Sequence, residues 1–255
     1  MIRLNISLLL LSLFLISKIF GNDVALLNTS KYKYSKIIDI PDLSFVGTVF
    51  SGLDILEQMD FEPLRNKTIA ILTNQSAVNR NNRHLLDILT RYPDIKVKYL
   101  LAMEHGIWST NDKRSKMVGR DGRSPLHKAQ IIDLFKTYLN PPSWVMRDID
   151  LVLVDYQDTG SRYTTYTTSL SKVFESASDF EIPVFILDRP NPIRGDLISG
   201  PIPRSEFQSF ESYHLFPIRH GLTIGEMSLI INEMGWAKDL KRIQLNIIPM
   251  ANWKR

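Results

Sequence analysis

LVLVDYQDTGSRYTTY, residues 151–166, decides how the rest of the chain is read. Leu151–Val154 is apolar and rich in β-branched residues, with no polar alternation. That is the pattern of a strand buried on both faces of a parallel sheet. The run then breaks into Asp155, Gln157, Asp158, Arg162, Tyr163 and Tyr166. In open α/β sheets, ligands bind where such strands end. The polar burst therefore falls where chemistry is expected.

Working outward, Lys67–Thr73, Lys96–Ala102, Pro183–Leu187 and Gln244–Pro249 read as further strands around Asp150–Tyr156. Apolar residues at helical spacing predict helices over Arg83–Tyr92, Lys128–Leu139, Thr168–Ser178 and Thr223–Met234. Thr223 and Glu226 have the spacing of a capping box at the start of the last of these. The alternation of strand and helix, regular from Ser51 onward, predicts an α/β fold. Its core is a Rossmann-like, open, mainly parallel sheet with helices on both faces. Residues 22–48 show no clear periodicity and read as an irregular leader.

Bulk properties narrow the function. The chain has 255 residues, 44% of them hydrophobic and 23% charged, enough for a substantial core. A formal charge of +4 is spread thinly, and no stretch interleaves basic and aromatic residues, so no nucleic-acid partner is expected. Neither the dinucleotide fingerprint nor the P-loop is present, and no nucleotide cofactor is expected. There is no cysteine, hence no disulfide framework. Arg3 followed by the apolar run Ile6–Ile16 is a secretory signal pattern, with a break after Gly21 and an apolar core too short to span a bilayer comfortably. Residues 1–21 are thus expected to be a signal peptide and the mature chain secreted or periplasmic, without a stable membrane span. Losing Arg3 and Lys18 lowers the formal charge from +4 to +2.

The first four of these strands end in a common kind of sequence: Thr73-Asn74-Gln75-Ser76, Met103-Glu104-His105-Gly106, Asp155-Tyr156-Gln157-Asp158 and Asp188-Arg189-Pro190-Asn191-Pro192. In a parallel sheet these ends share one rim. Glu104 leaves an apolar strand beside a glycine, where desolvation can tune a carboxylic acid for proton transfer. Asp158 and Asp155 are candidates for a second carboxylate, although Asp155 can equally brace the turn that follows. Asp188 suits either a substrate contact or a pair with an arginine. His220, just ahead of the Thr223 cap, is a candidate ligand contact. His105 has no companion histidine at metal-ligand spacing, so no metal site is assigned. Trp108, Tyr156, Tyr163 and Tyr166 add aromatic surface suited to sugar rings, with core packing the plainer reading for Tyr156 and Tyr166.

Six segments in order resemble the exo-β-N-acetylmuramidase (NamZ-like) family of peptidoglycan hexosaminidases. They are Ser51-Gly52-Leu53-Asp54, Leu72-Thr73-Asn74-Gln75, Glu104-His105-Gly106, Asp155-Tyr156-Gln157-Asp158-Thr159-Gly160-Ser161-Arg162-Tyr163, Leu187-Asp188-Arg189-Pro190-Asn191-Pro192 and Arg219-His220-Gly221-Leu222-Thr223-Ile224-Gly225-Glu226. The resemblance implies a Rossmann-like catalytic domain over residues 49–240, a smaller auxiliary domain of which residues 241–255 are the shortened start, and a cleft between the two. It also implies exo-acting release of N-acetylmuramic acid from non-reducing ends of peptidoglycan fragments, without a cofactor. Glu104 corresponds to the family's catalytic glutamate.

On that basis Glu104, Asp158 and Asp155 are the expected catalytic residues. Asn74, Gln75, His105, Gln157, Arg162, Tyr163, Asp188, Arg189, Asn191 and His220 are the expected contacts to a muropeptide or amino-sugar glycan. Arg162 or Arg189 would face the lactyl carboxylate of muramic acid. The chain departs from the family pattern at Ser199, at Gly119–Leu126 and in its length. A catalytically impaired, secreted carbohydrate-binding protein is the alternative these departures favour, with a metal-dependent hydrolase as a third reading.

Overall fold

The computed structural model describes residues 34–40, 48–108, 124, 126–237, 239 and 241–254. The expected signal peptide, most of the leader and nearly all of the Gly119–Leu126 segment lie outside the described residues. Seven strands form the sheet: β1 (Ser35–Ile37), β2 (Thr68–Thr73), β3 (Lys96–Ala102), β4 (Gln130–Asp133), β5 (Leu151–Asp155), β6 (Val184–Leu187) and β7 (Leu245–Ile248). Their order across the sheet is β1-β7-β6-β5-β2-β3-β4, and every pair is parallel.

From β2 the chain winds outward to β3 and β4, then returns to β5 and winds the other way to β6 and β7. This is the doubly wound order, with its switch point between β2 and β5. Those two strands run in register, Thr73 beside Asp155. The segment at 151–166 therefore opens onto the crevice where this topology places ligands.

The helices are α1 (Gly52–Gln58), α2 (Leu85–Leu89), α3 (Ser143–Met146), α4 (Tyr166–Phe180) and α5 (Ile224–Met234). Alternation along β5 assigns its two faces. Val152 and Val154 pack with Val145, Leu170, Val173, Phe174, Met227 and Ile231 of α3, α4 and α5. Leu151 and Leu153 pack with Leu53, Ile55, Leu56, Leu86 and Leu89 of α1 and α2. All five β5 residues are buried, because both faces of the sheet are covered.

Three stretches differ from expectation. Residues 128–139 contain β4 where a helix was expected. Gln130–Asp133 hydrogen-bonds along β3 from Tyr99 to Ala102, and the Asp133 carboxylate then accepts the N–H groups of Phe135 and Lys136 at 2.9 and 2.8 Å, closing a turn. Within the stretch read as an irregular leader, Ser35–Ile37 adds an edge strand to β7. β7 itself, inside the region assigned to an auxiliary domain, is an integral strand between β6 and β1.

Close approach at Gly52 fixes α1 to the rim. Its N–H donates to the Asp188 carbonyl at 2.8 Å. A Cβ at this position would lie 2.4 Å from the Asp188 nitrogen and 2.6 Å from the Ile248 oxygen. Both are backbone atoms that cannot swing aside, so only glycine lets the helix start against the ends of β6 and β7.

Candidate active site

The loops after β2 and β5 are laced together at the switch point. Ser76 Oγ accepts the Gln157 N–H at 2.9 Å and donates to Asn74 Oδ1, which also accepts the Ser76 N–H at 3.0 Å. His84 Nδ1 accepts the Leu86 N–H, which leaves the ring proton on Nε2 to reach the Asn74 carbonyl at 2.9 Å. The Asn74 amide bonds the Tyr166 hydroxyl, whose pKa burial pushes up. Gln75 is half-buried, and its Oε1 is buried without a hydrogen-bond partner among the described residues.

Glu104 follows β3 and is half-buried. Its Oε2 accepts a hydrogen bond from Thr165 Oγ1 at 2.7 Å. The next two residues are both left-handed, with φ of 69° at His105 and 75° at Gly106, and the Gly106 N–H returns to the Met103 carbonyl at 2.9 Å. The turn projects the His105 side chain outward. Tyr166 lies within the electrostatic reach of both Glu104 and Asp158.

Asp158 is buried. Its Oδ2 accepts the Gly160 N–H at 2.7 Å and faces His220 Nε2 at 3.4 Å. His220 Nδ1 accepts the Leu222 N–H at 3.1 Å, which turns Nε2 to the Asp158 side, where it makes no hydrogen bond among the described residues. Asp158 Oδ1 has no hydrogen-bond partner among the described residues. A buried carboxylate oxygen left open in this way is available to a ligand group.

Residues 69–255 match the family described as "Exo-beta-N-acetylmuramidase NamZ, N-terminal". The chain belongs to this family. It is 32% identical over 211 residues to the peptidoglycan beta-N-acetylmuramidase NamZ of Bacillus subtilis (strain 168), an alignment covering 81% of this chain and 49% of that protein. Two crystal structures of DUF1343 family proteins from Bacteroides fragilis NCTC 9343 superpose with TM-scores of 0.72 and 0.69, at 28% and 29% identity. Each match covers 81% of this chain, and 51% and 53% of the two solved chains. The chain thus spans about half the length of these relatives. Glu104, Asp158 and His220 all fall inside the segment that matches the NamZ N-terminal family.

Several residues expected at the reaction or on the substrate are turned inward instead. Asp155 is 0% exposed, and both of its oxygens are held by Arg189, through Nε at 2.6 Å and Nη2 at 3.1 Å. Both of its oxygens are thus taken up within the rim. Arg189 adds a bond to the Val78 carbonyl at 3.1 Å. Burial works against its charge, but the Asp155 carboxylate outweighs that and raises its pKa, so it is not free to face a lactyl group.

Asp188 accepts the N–H groups of Gly225 and Arg189 and the hydroxyl of Thr223, and burial pushes its pKa up to about 7. The Asn191 amide donates to the Leu222 carbonyl while its Oδ1 accepts the Ile193 N–H. The Gln157 amide donates to the carbonyls of Asp158 and Pro190. Asp188, Asn191 and Gln157 thus build the rim. Arg162 Nη1 donates to the carbonyls of Phe216 at 2.6 Å and Pro201 at 3.3 Å, and burial lowers its pKa. Tyr163 is 74% exposed beside it.

An aromatic wall supports His220 from behind. Phe216 lies 6.3 Å from the His220 ring, and His214 stacks on Trp236 at 5.8 Å. Ser171 Oγ donates to the Thr167 carbonyl at 3.0 Å, so it accepts from His214 Nε2 at 2.5 Å. Burial lowers the His214 pKa from 6.5 to about 4. The unfolded chain therefore binds more protons here between these two values, and His214 makes the fold lose stability as pH falls through that window. The destabilisation caused by His214→Leu is expected to be largest above about pH 6.5 and to shrink toward pH 4. Urea unfolding of both proteins at several pH values checks it. A cost that does not change with pH would refute the assignment.

Sequence reading passed over Thr165 and Ser76 and took Tyr166 for core, and the fold brings all three to these loops. Nothing in Thr164-Thr165-Tyr166-Thr167-Thr168 marks one hydroxyl as special; only the fold brings Thr165 to Glu104. Among the described residues, no group of three or more His, Cys, Asp or Glu could hold a metal ion, and no helix is long and apolar enough to cross a membrane.

Proposed function

We propose that this chain is a glycosidase that releases N-acetylmuramic acid from the non-reducing ends of peptidoglycan fragments. The observation that carries the reading is a half-buried Glu104 held by Thr165 and a buried Asp158 whose Oδ1 is open, both within electrostatic reach of Tyr166. Two carboxyl groups with different surroundings can divide acid and base roles. Membership of the NamZ N-terminal family, and the activity carried in the name of the Bacillus subtilis relative, support the same chemistry.

Glu104 gives its proton to the glycosidic oxygen as the bond to the anomeric carbon breaks. Asp158 accepts a proton from the attacking group, either water or the N–H of the substrate's own acetamido group as its oxygen closes on that carbon. The Gly160 N–H holds Asp158 in place for this, with the His220 ring beside it. Gln75, whose Oε1 is open, and the exposed His105 read sugar hydroxyls, while the buried Asn74, bonded to Ser76 and Tyr166, braces the loop. Of the two candidate arginines, Arg162 is the one left to meet the lactyl carboxylate, since Arg189 is committed to Asp155. The N-terminal signal pattern fits work outside the cytoplasm, where the cell wall is.

The test is hydrolysis of a chromogenic β-N-acetylmuramide by the 255-residue chain, with and without chelator. Release of free N-acetylmuramic acid, insensitive to chelator, is the expected result. Binding of the sugar without turnover would replace this reading with the carbohydrate-binding one, and loss of activity on chelation would replace it with a metal hydrolase.

A further inference from the structure

Thr165 stands where the loop after β5 becomes α4, the position at which a threonine ordinarily caps a helix. A capping hydroxyl accepts a backbone N–H from the first turn, and its residue is extended. The chain does this twice elsewhere: Ser51 at α1 and Thr223 at α5 each complete a capping box. Thr165 does not. Its φ and ψ are −81° and 3°, and it makes no side-chain cap bond. Its carbonyl accepts the Ser169 N–H at 2.9 Å, so the helix starts normally without the hydroxyl. A cap of this kind contributes about 1 kcal/mol, and α4 forgoes it.

The hydroxyl goes to Glu104 instead. Thr165 is 2% exposed, and its Oγ1 lies 2.7 Å from Glu104 Oε2. Water therefore has little access to replace this bond. We infer that Thr165 is a positioning residue that fixes which oxygen of Glu104 delivers the proton. The inference rests on the reading of Glu104 as the acid.

With Oε2 occupied as an acceptor, the acidic proton sits on Oε1, the oxygen left to meet the glycosidic bond. Once the proton has gone, the same hydroxyl stabilises the carboxylate. Among the described residues, the Tyr166 phenol on α4 lies within electrostatic reach of Glu104, and the exposed His105 is next to it in the chain. Thr165 is the single hydrogen-bond donor to the Glu104 side chain among the described residues.

Three variants of the 255-residue chain test this: Thr165→Val, Thr165→Ala and Thr165→Ser. Losing a donor to the carboxylate favours the protonated acid, so the high-pH limb of kcat/KM is expected to move to higher pH in the Val and Ala variants. Their kcat should fall about tenfold with KM little changed, as for a misaligned general acid. Serine should restore both properties, and melting temperatures should stay near that of the parent chain because no cap is lost. An NMR titration of the Glu104 carboxyl resonance reads the same shift without needing turnover. Val and Ala profiles that superimpose on the parent, or a Ser variant as impaired as Val, would overturn the inference while leaving Glu104 in its role. If Val fails to fold, Ala decides. Full turnover by Glu104→Gln would instead remove the acid that Thr165 is said to position.

Discussion

Glu104→Gln is expected to lower turnover of a β-N-acetylmuramide by about 10²–10⁴-fold, the range for loss of a general acid. The substitution is nearly isosteric. The glutamine carbonyl oxygen can still accept the Thr165 hydroxyl, so the bond that orients the side chain survives. What disappears is the transferable proton. KM and the melting temperature should therefore change little, which separates chemical loss from collapse of the site. A substrate whose leaving group needs no protonation, such as one with a strongly acidic phenol, should lose far less than a natural glycan. Equal losses on both substrates would point to misfolding or to a role for Glu104 other than acid. Undiminished turnover on both would remove Glu104 from the reaction.

The sheet was legible in the sequence where burial is symmetrical. β5 shows no polar alternation because α1 and α2 cover one face and α3, α4 and α5 the other, so its burial could be read without knowing its neighbours. β4 was not legible for the opposite reason. As an edge strand it is only partly buried, and its run of Ile131 and Ile132 followed by Leu134 and Phe135 matches helical spacing as well as strand spacing. β1 has three residues, too few to show any period. At the site, the strand-end positions of Glu104 and Asp158 could be read, because an acid leaving an apolar strand is a local signal. The fates of Asp155 and Arg189 could not. They sit 34 residues apart, and both look like free rim charges until the sheet puts β5 beside β6.

That pair makes the second large prediction. Arg189→Met is expected to destabilise the fold by about 3–5 kcal/mol, because it strands a carboxylate that is completely buried. It also removes the donor to the Val78 carbonyl. For a chain of this size the loss corresponds to a fall in melting temperature of roughly 10 °C. Pairing the change with Asp155→Leu takes away the stranded charge and should recover much of the stability, since a buried ion pair and an apolar replacement of similar volume are often nearly equivalent. The double variant carries the functional argument as well. If Asp155 only braces the rim, folded Asp155→Leu/Arg189→Met retains most of its turnover, whereas Asp158→Asn, which keeps the shape but not the base, loses it. Should the double variant fold and yet be as inactive as Asp158→Asn, Asp155 would regain a part in the reaction, with Arg189 as the group that keeps it charged.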